Sequence, residues 1–195
     1  MVMRKGMNIK GAYRDILSKN GELIMDTGWR SNVIVADYGR FLASLMKKDF
    51  HEQVGIEYIA FGGGSKDGAT FKDKVASKVF DSKKPGELDI PEPDNGWVWA
   101  KKIDADEIKY LDPSGIEGTT VTNKLKIEVT VEPNEPSEKT FEFKEFALLG
   151  VDIKSDGTFA TDKLFFINYK DHGVITKDKD MKLTRTITLT FPLGE

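Results

Sequence analysis

The chain contains no cysteine, which removes disulfides, thiolate metal sites and cysteine nucleophiles together. Histidine is nearly as scarce, with His51 and His172 the only two in 195 residues. Neither has a neighbour at metal-ligand spacing. Both read as surface histidines, His51 just past a helix and His172 in a turn, rather than as zinc ligands or members of a Ser-His-Asp arrangement. No sign of charge prevails: 29 basic and 32 acidic residues are mixed along the chain and leave −3. That balance excludes a basic stripe for a nucleic-acid backbone and a polybasic patch for anionic lipid. Nowhere do about 18 apolar residues run together, so no membrane span is expected. The basic start, Met1 to Met7, leads into no apolar segment of signal-peptide length. The expectation is a soluble chain held in the cytoplasm until it assembles.

What remains is enough for a core. A hydrophobic fraction of 39% with 31% charged residues suits one β-rich domain over residues 1–195, with a polar loop excursion at about 65–96. Residues 8–17 read as a strand, Asn20-Gly21 as a tight turn, and Glu22 to Asp26 as the returning strand of a hairpin. Ser31 or Asn32 is suited to cap a helix over 33–48. There Val35, Tyr38, Phe41, Leu42, Leu45 and Met46 form one apolar stripe. Gly55 to Phe61 reads as a buried strand. Within the excursion a short helix fits Phe71 to Phe80, and the rest reads as loop. From Trp97 onward the pattern is β. Leu125, Ile127, Val129 and Val131 alternate with polar residues, and a Phe143/Phe146 offset implies a bulge that reverses the inward face. Further strands are expected over Thr158 to Tyr169 and Lys182 to Phe191, where Arg185 interrupts an otherwise apolar face. The fold class is mainly β: an antiparallel β-sandwich with one principal α-helix packed against it.

Candidate chemistry is sparse. Gly62-Gly63-Gly64-Ser65-Lys66 invites a phosphate-loop reading, but no Gly-Lys-Ser/Thr follows, so a structural tight turn is preferred. The acidic segments Asp104 to Glu107 and Lys177 to Asp180 lack the ligand spacing of a calcium loop and read as solvated loops. Trp97 and Trp99, two apart on a strand, share a face. With Tyr110 they could stack on a sugar ring, although core packing or a subunit contact is the preferred reading. Trp29 and Arg30, beside the expected helix start, are residue types that anchor protein interfaces, and they equally suit a fixed internal corner. No acid, base and nucleophile converge, and no cofactor or metal is expected.

Several segments together carry a likeness. Trp29-Arg30-Ser31-Asn32 precedes a Leu- and Met-bearing helix, Ile59-Ala60-Phe61-Gly62-Gly63-Gly64 follows it, and Phe143-Lys144-Glu145-Phe146-Ala147-Leu148-Leu149-Gly150 comes later. Ser155-Asp156-Gly157-Thr158 and a closing strand from Leu183 to Phe191 complete the series. The order resembles tail and tail-fibre attachment proteins of tailed bacteriophages and related contractile injection particles. The resemblance implies a β-rich structural adaptor at a collar, baseplate or fibre base. It would dock other particle proteins and self-associate as a ring, with Trp29, Arg30, Trp97 and Trp99 as candidate interface residues. The polar loop at 65–96 and the acidic loop at 104–118 would be arms that order on assembly. The alternatives are a carbohydrate-binding β-sandwich module and, less favoured, a small enzyme.

Overall fold

The computed structural model describes residues 9–47, 53–80, 93, 96–153 and 164–191. In chain order the strands are β1 (Lys10–Lys19), β2 (Glu22–Asp26), β3 (Arg30–Asn32), β4 (Gln53–Gly62), β5 (Val98–Lys102), β6 (Ile108–Leu111), β7 (Glu117–Gly118), β8 (Lys124–Val131), β9 (Phe141–Ile153), β10 (Phe165–Phe166), β11 (Lys170–Lys177) and β12 (Met181–Thr190). Helix α1 (Asp37–Lys47) lies between β3 and β4, and α2 (Gly68–Val75) follows β4 and runs into a π-turn over Ala76–Phe80. The strands form two antiparallel sheets. One is ordered β2-β1-β12-β8-β6-β7, with β3 pairing β1 further along the β2 side; the other is ordered β10-β9-β4-β5, with β11 also on β9.

The two sheets read differently in sequence because they are buried differently. In the seven-stranded sheet one face is wet, so its strands alternate. Ile127, Val129 and Val131 of β8 and Leu183, Ile187 and Leu189 of β12 are fully buried, while the threonines between the β12 positions are half-exposed. Phe61 of β4 and Phe143, Phe146 and Leu148 of β9 meet them from the second sheet, and this shared layer is the main core. The second sheet is covered on both faces at its centre, where β4, β5 and the second half of β9 run, while alternate residues of β11 face solvent. Behind it Tyr58, Ala60, Ala100, Ala147 and Leu149 pack under Phe71 and Val75 of α2. Strands covered on both sides need apolar residues at every position, and Phe146 to Val151 supplies such a run.

Local chemistry explains the elements that matter for the site. Asn20 and Gly21 both take positive φ, 51° and 83°, as the tight turn between β1 and β2 requires. Asp67 caps α2 by accepting a bond from the Thr70 N–H at 2.8 Å. An ion pair from Lys72 to Asp37 ties α2 to the start of α1. In α1, Tyr38 and Phe41 are buried and Leu45 is partly so, but Leu42 faces water at 40% exposure instead of joining the stripe.

Several expectations are corrected. Ser31 and Asn32 do not cap a helix: they lie in β3, paired with Ala12 and Gly11 of β1, and α1 begins only at Asp37. Asn32 has a different task, its Oδ1 accepting from Asn168 Nδ2 at 2.9 Å in the interior. The short helix expected over Phe71 to Phe80 is present and starts three residues earlier, running from Gly68 to Phe80 with Phe71 and Val75 in the core; residues 81–92, 94 and 95 lie outside the described part. The 104–118 segment is likewise formed within the single chain, as a short 3-10 turn followed by β6 and β7. His172 sits in strand β11 rather than in a turn. The Ser155-Asp156-Gly157 turn falls in 154–163, outside the described residues, as does the first part of the Thr158–Tyr169 strand; its end contains β10. The expected face reversal is real. Phe143 and Phe146 both enter the same core, and opposite them β11 accommodates two extra residues between the Asp171–Glu145 and Ile175–Phe143 pairs.

Candidate functional site

The Trp29–Arg30 corner is built by a carboxylate. Asp26, the last residue of β2, accepts from Arg14 Nε at 2.9 Å, again from Arg14 Nη2, and from the Gly28 N–H at 2.9 Å. The Arg14 guanidinium and the Gly28 amide bring its pKa down to about 2. Thr27 ties the same corner back to β1 through its N–H to the Asp15 carbonyl at 3.0 Å, and its hydroxyl accepts the Asp15 N–H at 2.9 Å. Gly28 then turns at φ 64° and delivers Trp29 outward. The indole is 54% exposed, and Leu23, Ile24 and Val33 nearby in sequence are also more than half exposed. Arg30 is exposed; its Nε donates to the Thr27 carbonyl at 3.4 Å, and its charge is close enough to act on His172. The corner lies on a sheet edge, because β2 and β3 occupy the outer side of β1 and no strand flanks them among the described residues.

Trp97 and Trp99 do not join this surface. They are 3% and 9% exposed, and both point into the main core. Trp97 stands edge-on to Phe141 and Phe143 at 5.1 and 5.0 Å, and Trp99 stacks on Phe61 at 5.9 Å. The shared face is as expected, but it is an interior face, so these two residues are corrected from interface candidates to core residues. Tyr110 is elsewhere, on β6 in an open cleft of about 530 Å³ with Glu57, Lys102 and Asp104. The three aromatics form no common platform for a sugar.

The glycine run owes its composition to the same indole. A Cβ on Gly63 would overlap the Trp97 ring, and one on Gly62 would come within 2.6 Å of Glu145 Oε1. Glu145 is itself buried and accepts from the Gly64 N–H at 3.2 Å and the Tyr169 hydroxyl at 2.9 Å. Burial raises its pKa, and burial beside that carboxylate raises the Tyr169 pKa as well. The run is a close-packed crossing in which the amide at Gly64 is directed at an internal carboxylate.

No family model, curated protein or solved structure matches this chain.

A polar cluster in the middle of the sandwich went unread in the sequence. Arg185 on β12 is fully buried and lies opposite Asp15 on β1 in register. Its Nε and Nη2 donate to the two Asp15 oxygens at 2.5 and 2.9 Å. The guanidinium rests on the Phe146 ring, 4.0 Å from its centroid. Nη2 also lies 2.9 Å from His172 Nε2, while His172 Nδ1 lies 2.6 Å from the Gly173 carbonyl. Only one arrangement of protons satisfies both contacts: Nδ1–H donates to the carbonyl and the Nε2 lone pair accepts from Arg185. Burial and the adjacent guanidinium push the His172 pKa down to about 4. The imidazole is thus neutral with its basic nitrogen committed, and Asp15 is bonded to the arginine rather than to the histidine, so the three do not form a proton relay of the triad kind. The lone arginine on the β12 apolar face was the sequence signal; Asp15, between Tyr13 and Leu17 on the inward parity of β1, was its legible partner. His51 lies outside the described residues. Among the described residues no group of histidine and carboxylate side chains could hold a metal ion, and no helix is long and apolar enough to cross a membrane.

Proposed function

We propose that this chain is a structural component of a phage virion or phage-like particle. It acts as an adaptor in the tail, collar, baseplate or fibre base, assembled in the bacterial cytoplasm by self-association and by docking to other particle proteins. The observation that carries the reading is the exposed Trp29, held outward by a dedicated corner at a sheet edge, in a chain whose other two tryptophans are buried. A large indole left in water with apolar neighbours is characteristic of a protein contact surface. The order of segments that resembles tail and tail-fibre attachment proteins supports the same reading. The carbohydrate module loses its support with the burial of Trp97 and Trp99.

The test is quantitative mass spectrometry of density-purified particles from cells carrying either the natural chain or the Trp29→Ala/Arg30→Ala variant. The natural chain is expected in fixed proportion to the tube or capsid protein, and the variant is expected to be depleted from particles while remaining folded in the cells. Particles that lack the natural chain sink the adaptor role; equal incorporation of the variant sinks the role of the corner.

A further inference from the structure

The seven-stranded sheet ends in two unlike edges. The β2/β3 edge carries a cleft bounded by Ile9, Lys10, Trp29 and Arg30, with two cationic side chains and no carboxylate among its residues. No ion pair to Arg30 occurs among the described residues. At the opposite end of the strand order, between β8 and the β6/β7 side, a second groove collects Asp106, Glu107, Glu117 and Glu128 against Lys109 and Lys126; Lys126 bridges Glu117 and Glu128 at 2.6 and 2.9 Å, and the carboxylates stay in excess. Each groove has exposed apolar residues close by in the chain. Leu23, Ile24, Trp29 and Val33 are 52–64% exposed at the first edge, and Ile116 and Val121, which bracket the β7 segment, are 67% and 76% exposed at the second. The chain thus presents a cationic, indole-bearing cleft at one end of the sheet, where Asp26 of β2 is already paired with Arg14, and an anionic groove with aliphatic neighbours at the other.

We infer that the occupant of the Trp29–Arg30 cleft is a second copy of this chain, which presents its Asp106/Glu117 groove. Resting on the adaptor reading, this names the partner and the complementary patch for the corner already described. Like-with-like pairing of either edge would bring Arg30 toward Arg30, or carboxylates toward carboxylates, and is repelled. Opposite edges attract. A contact between two different patches is heterologous, so each copy keeps one patch open and copies add head to tail until the rotation closes a ring.

The test uses full-length protein in sedimentation equilibrium, up to about 1 mM, the top of the weak-association range. Two surface variants are made, Trp29→Ala/Arg30→Ala at one edge and Asp106→Ala/Glu117→Ala at the other, and circular dichroism checks that each is folded. The natural chain is expected to associate with increasing concentration, less so as salt screens the opposed charges. Each variant alone is expected to lose roughly tenfold or more in association. The decisive arm is the equimolar mixture. Each variant retains the edge that the other lacks, so the mixture is expected to form a one-to-one dimer that grows no further. A natural chain that stays monomeric throughout, variants that associate as well alone as the natural chain, or a mixture that stays monomeric would each overturn the inference. Particle incorporation is read separately. Incorporation without self-association leaves the adaptor role standing and rejects the second copy as occupant; self-association without incorporation does the reverse.

Discussion

Arg185 shows how much one side chain can commit in this sandwich. A guanidinium with no water around it must be answered, and Asp15 answers it with both oxygens from the neighbouring strand. Asp15→Ala is expected to destabilise the protein by about 3–5 kcal/mol in urea denaturation, since it leaves a buried charge unpaired. Replacing both partners with apolar residues of similar volume is expected to cost far less, because the desolvation penalty disappears together with the bond. His172 adds a pH dependence whose sign follows from its depressed pKa. The unfolded chain takes up a proton near pH 6.5 and the folded chain only near 4. Stability from this group is therefore complete above pH 6.5 and falls toward pH 4, by at most about 1.4 kcal/mol per pH unit, levelling off below. His172→Gln is expected to flatten that part of the profile in urea denaturation measured from pH 7.5 to 4; an unchanged slope would mean that the imidazole is not held neutral. Arg185 stood out in the sequence as a break in an apolar face, but its partners are 170 and 13 positions away, and only strand register brings them together.

Among the elements, those with strong local signals were legible and those made by tertiary contact were not. The β1–β2 hairpin follows from Asn20-Gly21, and β8 and β12 from their alternation, because a one-sided sheet writes its period into the chain. β3 was misread, since Ser31 and Asn32 are good capping residues and nothing local says that β1 will take them as a strand. β11 was missed because Lys170-Asp171-His172-Gly173 has the composition of a turn, which is also what a strand with two extra residues looks like. α2 was visible only as a short possibility within a polar stretch. Its packing gives it weight: Phe71 is fully buried behind the second sheet, and Phe71→Ala is expected to cost about 3–5 kcal/mol in thermal or urea unfolding. The glycine run predicts a smaller effect of another origin. Gly63→Ala pushes a methyl group into the Trp97 indole and is expected to cost about 1–3 kcal/mol, measured as a lower urea midpoint with the slope unchanged.

At the scale of the whole molecule, the centre of the second sheet is covered by its partner sheet on one side and by α2 on the other, and the first sheet meets the surroundings through its outer face and its two edges. Half of the candidate site could be read in advance. Trp29 and Arg30 stood out by residue type, while the fate of Trp97 and Trp99 depended on whether their shared face was inside or outside, which strand periodicity alone does not decide. Changes at the edge should separate assembly from folding. Trp29→Ala/Arg30→Ala is expected to change the free energy of urea unfolding by less than about 0.5 kcal/mol while weakening association, because exposed residues away from caps and cores contribute little to stability. The distribution of the three indoles also equips the protein with a built-in optical reporter. Two emit from a dry interior and one from water, so a collisional quencher such as acrylamide should extinguish the Trp29 component first. As copies join, that red-shifted, quenchable fraction should move to shorter wavelength and become protected while the other two remain as they were. Assembly could then be followed in unlabelled protein, in real time, from the light of a single side chain.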